Sequence, residues 1–137
     1  MPLVYLTRAE TFSSAHRLHS NNLTDEENKA IYDKCNNKFG HGHNYTIKVT
    51  VKGQIDPITG MVCNMTSLKT ALKEKVLDLV DHKNLDLEVP FFKDKPSTVE
   101  NICVFVWTQL KDVIGEDVLY KVKVEETMKN SATYKGN

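Results

Sequence analysis

The chain has 137 residues, 40% of them hydrophobic, and its 18 basic and 18 acidic residues cancel to a formal net charge of zero. A length near the commonest domain size predicts one domain, residues 1–137, with a core of its own. Balanced charge excludes the basic footprint of a nucleic-acid binder and the charge runs of a membrane-surface protein. Three cysteines at irregular spacing do not form a disulfide framework. No apolar run reaches the length of a membrane span, and Met1-Pro2-Leu3-Val4-Tyr5 enters a strand pattern without a basic-then-apolar leader. The expectation is a cytoplasmic protein with reduced thiols.

In chain order, a first strand is predicted from Val4 to His16, with Phe12, Ser14 and His16 on one face. A polar connection from Arg17 to Gly40 follows. Connections that long are functional or carry a short helix. From His41 to Gln54 the alternation is regular: His41, His43, Tyr45, Ile47, Val49 and Val51 share one face, while Asn44, Thr46, Lys48, Thr50 and Lys52 share the other. Asp56-Pro57-Ile58-Thr59-Gly60 reads as a turn, and Met61–Asn64 as a short strand. Leu68, Leu72, Val76, Leu79 and Val80 predict a helix from Thr66 to Asp81. A second helix is expected from Ser97 to Ile114, with Gly115 as its stop. Val118–Thr127 puts Tyr120, Val122, Val124 and Glu126 on one face, and Ser131–Lys135 returns. The order predicts an α+β fold: an antiparallel sheet with two helices packed on one face.

Chemistry concentrates between Cys35 and His43. If the first two strands pair antiparallel, His16 meets His41 and His43 at one end of the sheet. Three imidazoles make the ligand set of a catalytic zinc, which keeps a fourth position open. Cys35 has two readings: fourth ligand of a closed, non-enzymatic structural zinc site, or a thiolate acting beside the metal. Asp81-His82 closes the first helix. It is either an orienting carboxylate with its imidazole or a cation placed favourably at a helix C-terminus. Glu126 is a carboxylate on an otherwise apolar face, explained by a ligand with a fork of N–H donors or by a return to water. Ser97-x-x-Glu100 reads as a capping box with Glu100 at its third helical position.

These motifs, from Phe12-Ser13-Ser14-Ala15-His16-Arg17-Leu18 and Cys35-Asn36-Asn37 through Ile55-Asp56-Pro57, Leu79–Leu85 and Ser97-Thr98-Val99-Glu100-Asn101 to Glu126-Thr127 and Tyr134-Lys135-Gly136, run in order along nearly the whole chain. Together they resemble the 6-pyruvoyltetrahydropterin synthases. The resemblance implies a tunnelling fold in which the sheets of several subunits close into a barrel, a homohexamer of two trimers, and active sites between subunits. It implies a carbon–oxygen lyase converting 7,8-dihydroneopterin triphosphate to 6-pyruvoyltetrahydropterin with release of triphosphate, in tetrahydrobiopterin synthesis. His16, His41 and His43 would hold zinc; Cys35 would be the base, linked to Asp81 and His82 of a neighbour. Glu126 would anchor the pterin, with Glu100 and Thr98 near the same pocket. Arg17, Lys34, Lys38 and Lys129 flank the motifs as candidates for the triphosphate. The chain departs from the family at Glu125, where an aromatic is expected, and over Thr127–Ala132. A related family, the 6-carboxytetrahydropterin synthases of queuosine synthesis, tends to a shorter spacing between its cysteine and His-Gly-His. The five residues between Cys35 and His41 favour the pyruvoyl branch.

Overall fold

The computed structural model describes residues 2–137. Two long strands, β1 (Leu3–His16) and β2 (His41–Gln54), pair antiparallel along their whole length. β2 pairs in turn with β4 (Leu119–Glu125), and β4 with β5 (Ser131–Tyr134). The sheet order is β3-β1-β2-β4-β5, where β3 (Lys83–Asn84) adds a two-residue parallel edge beside Ser14 and Ala15. That parallel edge was not expected from the sequence, because two residues carry no periodicity.

The predicted alternation buries Tyr45, Ile47, Val49 and Val51, together with Phe12, Ser14 and His16 of β1; Thr50, expected on the polar face, is buried as well, its hydroxyl 2.8 Å from that of Thr7 across the hairpin. Helix α5 (Val99–Ile114) and the helical stretch beginning at α2 (Met65–Leu72) contribute Leu68, Leu72, Val76, Ile102, Val106 and Leu110 to the same core. Buried side chains of this size contribute about 1.5–3 kcal/mol each relative to exposure.

The helix predicted from Thr66 to Asp81 is interrupted. α2 passes through a π-helical turn at Lys73–Leu77 into α3 (Asp78–Val80). Leu68, Leu72, Val76 and Val80 recur every four residues, which drifts by about 40° per step on an ideal α-helix. A wider π turn absorbs that drift and keeps these four buried, while Leu79 is turned outward. Met61–Asn64 forms no strand; Asn64 instead caps α2, accepting from the amide of Thr66 at 2.8 Å. The long polar connection carries α1 (Asp25–Tyr32), opened by a Thr24–Glu27 capping box, and a 3₁₀ turn at Asp33–Asn36. α4 (Leu85–Glu88) and a 3₁₀ turn at Pro90–Phe92 fill the approach to α5. In β4 a register shift opposite Thr50 and Val51 places Leu119 in the core in place of the expected Tyr120. Tyr120 packs edge-on against Tyr5 instead, with ring centroids 4.8 Å apart.

Candidate metal centre

The hairpin register brings His16 directly opposite His41, and Ser14 opposite His43. One ring nitrogen from each of His16, His41 and His43 lies within 4.8 Å of the others. Gly40 makes the strand start possible. Its φ is +77°, and a Cβ there would approach the His16 carbonyl oxygen to 3.0 Å.

His16 is the anchor of the cluster. It is fully buried, and its Nδ1–H donates to the Ser97 carbonyl at 2.8 Å. A carbonyl only accepts, so the proton sits on Nδ1 and Nε2 offers its lone pair to the cluster. Ser97 is held in turn: its hydroxyl donates to Asp86 Oδ1 at 2.6 Å, while Asp86 Oδ2 accepts the Arg17 amide at 2.6 Å. Burial lowers the His16 pKa to about 4, against the partly opposing Ser97 hydrogen bond. His41 is lowered too, by burial first and then by His43. Neutral imidazoles are what a metal requires. Tyr45 stacks on Phe12 with centroids 4.8 Å apart beneath the cluster, and burial raises its hydroxyl pKa so that it stays protonated.

Glu126 faces the same nitrogens. Its Oε1 lies 3.8 Å from His16 Nε2 and 3.7 Å from His43 Nε2, and its side chain is 17% exposed. This is neither a strand end returned to water nor a carboxylate aimed elsewhere.

Cys35 is carried on the 3₁₀ turn and tied to the residues just after His16. Its carbonyl accepts from the Leu18 amide at 2.9 Å, and the neighbouring Asn36 accepts from Arg17 Nε at 2.9 Å and donates to the Leu18 carbonyl at 2.7 Å. The thiol is partly buried and is not among the mutually close ligand atoms of the three histidines.

Asp81 and His82 do pair. The chain leaves helical geometry at Asp81 and takes φ +62° at His82. This sets His82 Nδ1 3.0 Å from Asp81 Oδ1. Asp81 also accepts the Ser13 amide at 2.9 Å, and that bond is the main reason its pKa is lowered. The His82 side chain is 83% exposed. Neither residue hydrogen-bonds Cys35 among the described residues.

The expected Ser97–Glu100 capping box does not form, because the helix starts one residue later. Thr98 is the N-cap of α5, accepting from the Asn101 amide at 3.2 Å, and Glu100 is exposed on the first turn. Ser97 is unavailable as a cap because it is committed to His16 and Asp86.

A family model described as 6-pyruvoyl tetrahydropterin synthase matches residues 5–137. The chain belongs to the 6-pyruvoyl tetrahydropterin synthase family. It is 52% identical over 131 residues to the 6-pyruvoyl tetrahydrobiopterin synthase of Homo sapiens, covering 96% of this chain and 90% of that one. Against that of Drosophila melanogaster it is 49% identical over 136 residues, 98% of this chain and 81% of the relative. The solved structure of Caenorhabditis elegans 6-pyruvoyl tetrahydropterin synthase superposes with a TM-score of 0.96 at 51% identity, covering 100% of this chain and 98% of that one.

Within this family frame, the departure at Glu125 is directed away from the imidazoles. Its carboxylate lies 3.1 Å from Lys48 Nζ on the opposite sheet face, whereas Glu126, one residue on, reaches the cluster. Asp86, and Ser97 as an acceptor for His16, join the hydrogen-bond network of the cluster without a signal in the sequence. Asp86 lies on a short helical turn without a periodic signal.

Proposed function

We propose that this chain is a zinc-dependent 6-pyruvoyltetrahydropterin synthase, acting in the cytoplasm on 7,8-dihydroneopterin 3′-triphosphate. The supporting observation is the convergence of three imidazoles with a facing carboxylate, in a chain of this family. The donor set fits zinc: all-nitrogen ligation, a buried His16 with its tautomer fixed, and a neutral state at physiological pH. His16, His41 and His43 would hold the ion. Bound there, zinc would supply Lewis-acid polarisation of the substrate's side-chain oxygens, acidifying the neighbouring protons.

The protein groups divide the remaining work. Cys35, as thiolate, removes a proton from the substrate side chain. Asp81 holds the His82 imidazole by its Nδ1, which leaves Nε2 to exchange a proton with substrate. Glu126 accepts the paired N–H donors of the pterin edge, and Thr98 and Glu100 border that pocket. Loss of triphosphate and tautomerisation carry the reducing equivalents from the side chain to the ring. No nicotinamide is consumed.

His82 is exposed and, among the described residues, has no hydrogen bond to Cys35, which supports a site completed by the Asp81–His82 pair of a neighbour. Assembly is favoured by the open edges of the sheet. β3 covers β1 only at Ser14 and Ala15, and Leu3 and Tyr5 near the start of β1 are more than half exposed. Unprotected edges call for cover, and a homohexamer of two trimers with a closed barrel in the tunnelling fold supplies it.

The test is incubation of the zinc-loaded protein with dihydroneopterin triphosphate alone. Triphosphate release with retention of a three-carbon side chain is expected. Acetaldehyde release would assign the 6-carboxytetrahydropterin reaction instead, and a requirement for nicotinamide would refute internal redox transfer.

A further inference from the structure

A cleft of about 340 Å³ opens at the end of the sheet that carries the three histidines. Arg17, which lines it, directly follows His16; Gly40, on the other side, directly precedes His41. The remaining cationic lining comes from Lys38, on the turn into β2, and from Lys93 and Lys95, between the Pro90–Phe92 turn and α5. The volume is at the lower end for ligand sites, suited to one end of a pterin triphosphate rather than to the whole molecule.

In a chain of zero net charge this concentration of cations is unbalanced locally. Among the described residues, none of Lys38, Lys93 and Lys95 has a carboxylate within salt-bridge distance. The Lys38 and Lys95 ammonium groups lie over Phe39 and Phe91, 5.0 and 4.7 Å from the ring centroids. Arg17 spends Nε and one Nη2 donor on Asn36, and among the described residues Nη1 has no hydrogen-bond partner. Of the two carboxylates in the lining, Asp86 is already engaged by the Arg17 amide and the Ser97 hydroxyl. Only Asp94 remains to offset four cations.

We infer that this cleft, formed by Arg17, Lys38, Lys93 and Lys95, is the oligophosphate subsite that receives the substrate's triphosphate tail. The inference rests on the synthase reading above. A guanidinium with free N–H donors and several point-charge ammonium groups is the usual protein complement to phosphate oxygens. Lys34 and Lys129, which also flank the motifs in sequence, do not line the cleft.

The test uses the zinc-loaded full chain. Inorganic tripolyphosphate is titrated calorimetrically into the wild type, the Lys93→Gln/Lys95→Gln double variant and a Lys34→Gln/Lys129→Gln control. The expected result is a loss of about tenfold in tripolyphosphate affinity for the first variant, with the control close to wild type. KM for dihydroneopterin triphosphate rises in parallel, and the affinity for unphosphorylated dihydroneopterin does not change. The KM comparison separates recognition of the substrate's tail from binding of free oligophosphate alone, and the unphosphorylated pterin separates loss of phosphate contacts from damage to the pterin pocket. Equal tripolyphosphate affinity in wild type and the Lys93/Lys95 variant, or an equal loss in the control, overturns the assignment. So does a loss confined to free tripolyphosphate with KM unmoved. If the wild type binds tripolyphosphate through these lysines but never turns over dihydroneopterin triphosphate, the synthase reading fails and the anion cleft stands.

Discussion

Acid should unfold the metal-free protein through His16, and the size of the effect follows from its burial. The imidazole titrates near 6.5 in the unfolded chain and at about 4 in the folded one. Between these values the unfolded chain binds a proton that the folded chain refuses, so stability rises with pH across the window. The contribution is intact above pH 6.5 and is lost as pH falls toward 4. Each pH step of one across that window removes roughly 1.4 kcal/mol. The loss is therefore about 2 kcal/mol at pH 5 and levels off at about 3 kcal/mol below pH 4. Solvent screening does not reduce it, since the side chain is fully buried. The assay is urea denaturation of the metal-free wild type and His16→Gln at pH 7 and pH 5. The variant's absolute stability is not the readout; its pH slope is. With a slope of about 1–3 kcal/mol per molar urea for a protein of this size, the wild-type midpoint should fall by about 1 M more than the variant's. Parallel shifts in the two proteins would refute the reasoning, because they would show that His16 already binds its proton in the fold.

Further outcomes follow from the same geometry. Cys35→Ala should retain zinc, measured by metal content after gel filtration, while single-turnover chemistry falls by about 10²-fold or more; loss of zinc together with folding would make the thiol structural. Glu126→Gln should weaken pterin binding by roughly 1.5–3 kcal/mol, the range of a hydrogen bond to a charged group, as read by calorimetry with an unreactive pterin. Gly40→Ala should cost about 1–2 kcal/mol in left-handed backbone strain and loosen zinc, because the added Cβ presses on the His16 carbonyl. Thr98→Ala should lower the urea midpoint by the equivalent of about 1 kcal/mol through loss of the α5 cap, whereas Glu100→Ala, nearby on the first turn and exposed, should leave it unchanged.

The cluster was legible because its signals are local and periodic. A period of two fixes which side of β2 carries His41 and His43, and a hairpin between strands of matched length delivers His16 opposite them. What escaped was set by choices that the sequence permits in more than one way. Ser97 and Thr98 are both capable N-caps, and a one-residue boundary decides between them. The contact that decides is tertiary: Ser97 is drawn to His16 and Asp86. The shift that exchanges Tyr120 for Leu119 is likewise invisible to alternation, since both residues suit a strand and only the pairing with Thr50 and Val51 reveals the extra residue. The four-residue recurrence of Leu68, Leu72, Val76 and Val80 was visible, but its consequence, a π turn, requires a rigid sheet to hold all four on one side.

The displaced cap also links the helix layer to the histidine cluster. Thr98 stops the backbone in an extended conformation, with φ −66° and ψ 159°. The preceding carbonyl, that of Ser97, thereby remains outside the helical hydrogen bonds and free to accept from His16 Nδ1. Had Ser97 been the cap, its carbonyl would have accepted the first intrahelical bond and His16 would have lost the partner that fixes its tautomer. The one-residue difference between the expected and observed helix start is therefore what frees Nε2 to face His43 and Glu126. At the same end of the sheet the Cys35 turn is held through Leu18, Asn36 and His19 rather than through a ring nitrogen of the cluster. Thiol and imidazoles are thus held by different partners that meet at one residue: Arg17 donates its Nε to Asn36 beside Cys35, and its amide to Asp86, which steadies Ser97 against His16.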